Sequence, residues 1–255
     1  MDYKEKLNTY IKLYDTLFRN RGHWYETFKF YLNYNFNILI KADDDITFID
    51  FNRFKEYIYF IKTYKINATI PNLVNHAVSL YYNNKEELIP NSLIKEIYTN
   101  KSSSLDLYHY FRDGNESNKI HKYFLKNINK FINNNIKPIQ LNGQKPSICM
   151  FGITKTSYNY VYNPKIIWRD KPSPKNYRFY DEPYTYRLLN NFLYPRFVSM
   201  HYAFGAQRKN GLGENFLDDY KILAKKYVSL YNKDKGYFRL SDICSNIKNF
   251  LHSIT

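Results

Sequence analysis

Three observations in the sequence predict an α/β fold in which a mixed sheet is flanked by helices. Short apolar, β-branched runs occur at 37–42, 67–71 and 147–153, amphipathic stretches of helical period separate them, and the first run ends in three consecutive aspartates. The 255 residues suffice for one domain, 1–255, with a sizeable core. Hydrophobic residues make up 44% and charged residues 24%, a balance that excludes disordered and fibrous classes.

The elements follow in order. Tyr3, Leu7, Tyr10, Ile11, Tyr14, Leu17 and Phe18 recur at three- and four-residue steps and predict a helix over 2–19, with another over about 24–34. The run NILIKA (37–42) predicts a strand, and TFID (47–50) a second. Asp50 is placed to cap the next helix, whose Phe51, Phe54, Tyr57, Ile58 and Ile61 share a face. NATIP (67–71) predicts a strand and NLVNHAVSLYY (72–82) a helix. Residues 100–118 and 127–146 are rich in turn formers and Asn and predict loops, separated by a helix carrying Ile120, Tyr123, Phe124, Ile128 and Phe131. SICMFGI (147–153) predicts a buried strand, DEPYTYRLLNNF (181–192) a helix, and FVSMHYAF (197–204) a strand. Helices near 214–231 and 241–252 close the chain, the latter capped by Ser241.

Lys and Arg number 38 against 23 Asp and Glu, a net charge of +15 that favours phosphorylated or polyanionic partners. The same bias is what a low-GC genome yields, since Lys, Asn, Ile, Tyr and Phe have A/T-rich codons. Cys149 and Cys244 lie far apart among apolar residues, as reduced buried thiols do. No apolar run reaches the roughly 20 residues that cross a bilayer, and MDYKEKLNTY lacks the features of a signal peptide. A cytoplasmic location is expected.

Chemistry is most legible in KADDDITFID (41–50), where three adjacent acids repel one another unless a cation or solvent relieves them. Alternate residues of an extended segment share a face, so Asp43 and Asp45 are placed to bind one hard cation while Asp44 orients a neighbour. An acidic turn closing a strand would read the same way. The late segment FVSMHYAFGAQRKNGL offers His201 as an imidazole ligand and Gln207, Arg208 and Lys209 as phosphate-binding groups, although a histidine beside apolar residues is as readily a packed one.

Together these segments resemble the GT-A glycosyltransferases, in particular those of giant viruses and fungi. The matching residues are Ile40 to Asp50 around K-x-DDD-I, Asn72 to His76 as NLVNH, the acidic pair Asp181 and Glu182, and His201 to Gln207 as HYAFGAQ, in order over roughly 37–227. The resemblance implies a Rossmann-like GT-A sheet. Only 42 residues, read as helical, precede Asp43, so the sheet is expected without the first strands of the nucleotide-binding half. It also implies that Asp43, Asp45 and His201 hold Mn²⁺ or Mg²⁺ beside the diphosphate of a nucleotide-sugar donor. Asp44, Asn75, Gln207, Arg208 and Lys209 would then bind donor or sugar, and His76 is grouped with Asn75 at the pocket. Asp181 or Glu182 would deprotonate a hydroxyl of a glycan, protein or lipid acceptor, at a site in the cytoplasm, that of the host for a viral enzyme. No stable nucleic-acid partner is expected, and no transmembrane segment. Three other classes compete: a nucleic-acid-binding protein using the basic surface with 28 Tyr and 19 Phe, a metal-dependent hydrolase or nuclease, and an inactive glycosyltransferase-like scaffold.

Overall fold

The structure, a computed structural model, describes residues 37–43, 45–64, 68–94, 113–141, 149–161, 191–213 and 215–235. Within them the chain is a mixed α/β protein whose sheet of parallel and antiparallel strands is flanked by helices. The strands are β1 (Ile38–Ala42), β2 (Ile46–Ile49), β3 (Ala68–Val74), β4 (Ile139–Gln140), β5 (Met150–Thr154) and β6 (Phe192–His201). The helices are α1 (Phe54–Thr63), α2 (Ala77–Lys85), α3 (Gly114–Ile132), α4 (Lys155–Val161), α5 (Gly205–Lys209) and α6 (Phe216–Lys235). Strand order is β1-β5-β3-β6-β2, with β4 also on β6. Among the described residues, no helix is long and apolar enough to cross a membrane. The predicted helices at 2–19, 24–34 and 241–252, and nearly all of that at 181–192, lie outside the described residues.

The chain divides into two compact units, each assembled from separate stretches of sequence. The first comprises 1–43, 52–72 and 137–195. In it β5 pairs antiparallel with β1, from Ile38 opposite Thr154 to Ala42 opposite Met150, and with the start of β3. Helix α1 covers this ladder with Tyr57, Ile58 and Ile61. Gly152 makes the close approach possible, because a Cβ there would collide with the Ile61 side chain. The Tyr57 hydroxyl donates to the Thr69 carbonyl, and Phe60, Tyr64, Phe192 and Tyr194 form a cluster of rings beside it.

The second unit comprises 44–51, 73–136 and 196–255. Strand β2 pairs antiparallel with β6, with Ile46 opposite His201 and Ile49 opposite Ser199, and an irregularity in register falls between Ile46 and Phe48. Phe48, Val74, Leu80, Phe124, Phe131, Val198, Met200, Phe216 and Tyr220 belong to one buried core in which α2, α3 and α6 close on the strands. Helix α3 starts where Asp113 accepts from the N–H groups of Asn115 and Glu116. Its backbone leaves helical geometry at Asn127, whose amide donates to the Tyr123 carbonyl one turn back.

Four elements differ from the sequence reading. Asp50 does not cap α1: it is buried, a 3₁₀ turn over Phe51–Arg53 intervenes, and the helix begins after Arg53. Asn72, Leu73 and Val74 continue β3 instead of opening a helix, because a strand buried along its whole length shows no alternation to betray it. Residues 114–118 form the first turns of α3, not a loop. Strand β6 begins at Phe192, five residues before the predicted start, and accommodates Pro195 within it.

At Gly114 an added Cβ would come within 2.5 Å of the backbone oxygens of Gln207 and Asn210, so α3 and α5 meet there backbone to backbone. Gly114→Ala is expected to lower stability by about 2–3 kcal/mol, a fall of roughly 5–10 °C in Tm, measured by calorimetry. An unchanged Tm would show that this contact is loose.

Candidate functional site

The pairing of β2 with β6 explains why the early acids and the late histidine meet. Ile46 sits opposite His201 in an antiparallel ladder, so the residue before Ile46 comes beside the residue after His201. The Tyr202 N–H donates to the Asp45 carbonyl at 2.8 Å and fixes this end of the ladder. As a result Asp45 Oδ1 lies 3.3 Å from His201 Nε2, a close polar contact outside hydrogen-bond geometry. Both atoms Asp45 Oδ1 and His201 Nδ1 are buried, and among the described residues neither has a hydrogen-bond partner. The second carboxylate oxygen, Oδ2, accepts from Arg208 Nη2 at 3.1 Å. The guanidinium lies over the Tyr202 ring, 5.8 Å from its centroid.

Burial pushes the Asp45 carboxyl up, but the His201 imidazole and the Arg208 guanidinium together outweigh that and hold it below the usual carboxylate value. It is therefore ionised at neutral pH. The carboxylate opens into a groove of about 730 Å³ lined by Asp45, Thr47, Tyr202, Arg208, Asn215 and Lys221 among others. This is ample for a diphosphate and one attached ring.

Asp45 and His201 meet two demands of a divalent cation. The orphaned Oδ1 is a hard anionic donor, and an imidazole nitrogen stands 3.3 Å from it. Two ligand atoms held about 2.1 Å from one cation at 90–110° lie about 3.0–3.4 Å apart, so the pair fits one ion. Among the described residues, no group of three or more His, Cys, Asp or Glu is gathered for a metal. The remaining positions would fall to water and ligand oxygens, as is usual for Mg²⁺-type sites.

The other predicted residues are placed as follows. Asp43 belongs to the first unit, where its carboxylate pairs with Lys41 Nζ at 2.7 Å and its N–H donates to Cys149 O. Asp44, Asp181 and Glu182 lie outside the described residues. Lys209 is exposed on α5 and is not part of the groove wall. Asn75 and Gln207 do not face the groove: both are 0% exposed, and their amides bond each other and the backbone. His76 is buried and stands before α2, its ring 6.1 Å from that of Phe204.

Two residues near the site escaped sequence reading. Lys221 reaches the groove from α6, paired with Asp218 at 2.8 Å, and nothing marks it among 38 cations. His121, on the buried face of α3, bonds the Tyr202 carbonyl through Nε2 at 2.7 Å and the Tyr220 hydroxyl through Nδ1 at 2.9 Å. A carbonyl only accepts, so Nε2 carries the proton and Nδ1 accepts from the tyrosine. A histidine in register with Ile120 and Phe124 was the sole signal.

The chain finds no match among family models, curated proteins or solved structures.

Burial pushes His121 down to about 4 and His76 down to about 3, in each case with a further push from His201. Both are neutral in the folded protein at pH values where the unfolded chain, with histidines near 6.5, is already protonated. Stability is therefore complete above about pH 6.5 and falls as the pH drops, by on the order of 2 kcal/mol per histidine at pH 5. Urea unfolding at pH 7 and pH 5 should show this loss, and His121→Gln should reduce it by about half. Equal pH dependence in that variant would remove His121 as a source.

Proposed function

We propose that the chain is a metal-dependent glycosyltransferase of GT-A type, which moves a sugar from a nucleotide-sugar donor to a hydroxyl acceptor. The single observation that carries the reading is the Asp45 carboxylate, flanked by His201 and Arg208 in the wall of a groove large enough for a diphosphate and an attached ring. The ordered motifs K-x-DDD-I, NLVNH, DE and HYAFGAQ support it independently.

In this reading Asp45 Oδ1 and His201 Nε2 would hold Mn²⁺ or Mg²⁺. When bound, the cation would supply positive charge to offset the charge that builds on a departing diphosphate. The protein's own groups do the remaining work. Arg208 gives up its contact with Asp45 Oδ2 and turns its exposed guanidinium to phosphate oxygens, while Lys221 contributes a second cation from α6. Tyr202 offers its ring face to the Arg208 guanidinium and lines the groove. Asp181 and Glu182 are the candidates for the base that takes the acceptor proton.

The test is hydrolysis or transfer of a panel of nucleotide sugars with Mn²⁺. Asp45→Asn should lower kcat/KM by about 100-fold or more and Arg208→Ala by about 10-fold or more, with the fold unchanged by circular dichroism. In the wild type, nucleoside diphosphate with Mn²⁺ should raise Tm, and either alone should raise it less. Full activity in Asp45→Asn would end this reading.

A further inference from the structure

One buried side chain explains how His201 and Arg208 are held in place. Asn75 follows β3 with φ of 67°, in the left-handed region that non-glycine residues seldom occupy and that Asn tolerates best. It is completely buried. Its Nδ2 lies 3.2 Å from the His201 carbonyl, 3.0 Å from the Tyr202 carbonyl and 3.3 Å from Gln207 Oε1. Its Oδ1 accepts from the Ser117 hydroxyl at 3.1 Å. The orientation of the amide is fixed by chemistry, since only the NH₂ end can face two backbone carbonyls.

Gln207 extends the chain of bonds. The same Oε1 that accepts from Asn75 accepts from the Phe204 N–H at 3.1 Å, three residues earlier, as in one half of a capping box. That contact starts the short helix on which Arg208 stands. The Asn75 amide thus grips the strand end at His201 and Tyr202 and, through Gln207, the turn that aims Arg208.

We propose that Asn75 is the positioning residue of the site: its left-handed backbone and buried carboxamide hold His201 and Arg208 on either side of Asp45. The functional side of this role rests on the reading that Asp45 and His201 bind a cation, but the placement of the two side chains can be measured without any cation. The role demands more than a polar residue of the right size. An aspartate in its place would turn a carboxylate oxygen toward two carbonyls, and an alanine would adopt the left-handed backbone only with strain. A glycine would keep the backbone and remove the carboxamide alone.

Asn75→Gly and Asn75→Asp separate these contributions, with Phe131→Leu, a core change at the far end of α3, as the control for general destabilisation. Three signals are read by nuclear magnetic resonance and electron paramagnetic resonance. They are exchange of the Tyr202 and Phe204 amides relative to α3 core amides, the His201 ring resonances identified by their loss in His201→Gln, and binding of Mn²⁺ alone. Both Asn75 variants should speed exchange of the two amides by about 10-fold or more, shift the His201 ring signals and weaken Mn²⁺ binding by about 10-fold or more. Phe131→Leu should move none of these even where its Tm falls equally. Wild-type exchange and ring signals in a folded Asn75→Gly would overturn the assignment. Should neither Asn75 variant fold, Ser117→Ala, which removes only the hydroxyl that anchors Oδ1, reports through the same signals: a smaller shift in the same direction supports the role, and no shift overturns it. Failure of the wild type to bind Mn²⁺ would count against the cation reading alone, because exchange and ring signals still decide the role of Asn75.

Discussion

At the end of β6 two consecutive carbonyl groups, those of His201 and Tyr202, face a buried interior and need donors there. Asn75 bonds both, and His121 supplies a second donor to Tyr202. Because the backbone is satisfied from the core side, the side chain of His201 is left to face Asp45, and the chain can turn directly into the helix that carries Arg208. The demand that buried backbone groups be paired therefore sets the arrangement of the charged groups. Much of the second unit converges on this point: Ser117 and His121 reach it from α3, Tyr220 from α6 and Gln207 from α5.

The site these contacts support holds charge at a cost. Asp45 is half-buried, and burial by itself pushes its carboxyl up from the ordinary value. His201 and Arg208 outweigh that burial and hold the carboxyl below the usual carboxylate value, each from a different oxygen. Of the two partners, Arg208 is half exposed and replaceable by solvent, whereas His201 is enclosed. In the proposed function this asymmetry is what would let a ligand anion take the guanidinium's contact while the imidazole stays in place.

The sequence revealed most of the sheet and little of the network. Strand β1 was legible as a short apolar run ended by acids, as in NILIKA, and helix α3 by its period in Ile120, Phe124 and Phe131. Asn72 to Val74 were read as helix and Leu193 to Arg196 were given no element: the first is buried on both faces and lacks alternation, and the second contains a proline that argues against a strand. Of the three residues expected together, Asp45 and His201 are 3.3 Å apart and Asp43 pairs with Lys41, while Arg208, expected to bind phosphate, contacts Asp45. Asn75 and Gln207 were recognised as members of those motifs but given ligand-facing roles. Nothing in a sequence distinguishes a polar residue that reaches outward from one that closes a backbone inward, since that depends on a dihedral angle and on strand register.

In the proposed site an imidazole and a carboxylate from distant parts of the sequence share one cation. Electron spin-echo modulation of Mn²⁺ added to the protein with inorganic pyrophosphate tests this at the level of the ligand atoms. The expected result is nitrogen modulation from one imidazole that disappears in His201→Gln. Bound Mn²⁺ without that modulation, or with the same modulation in the variant, would contradict it.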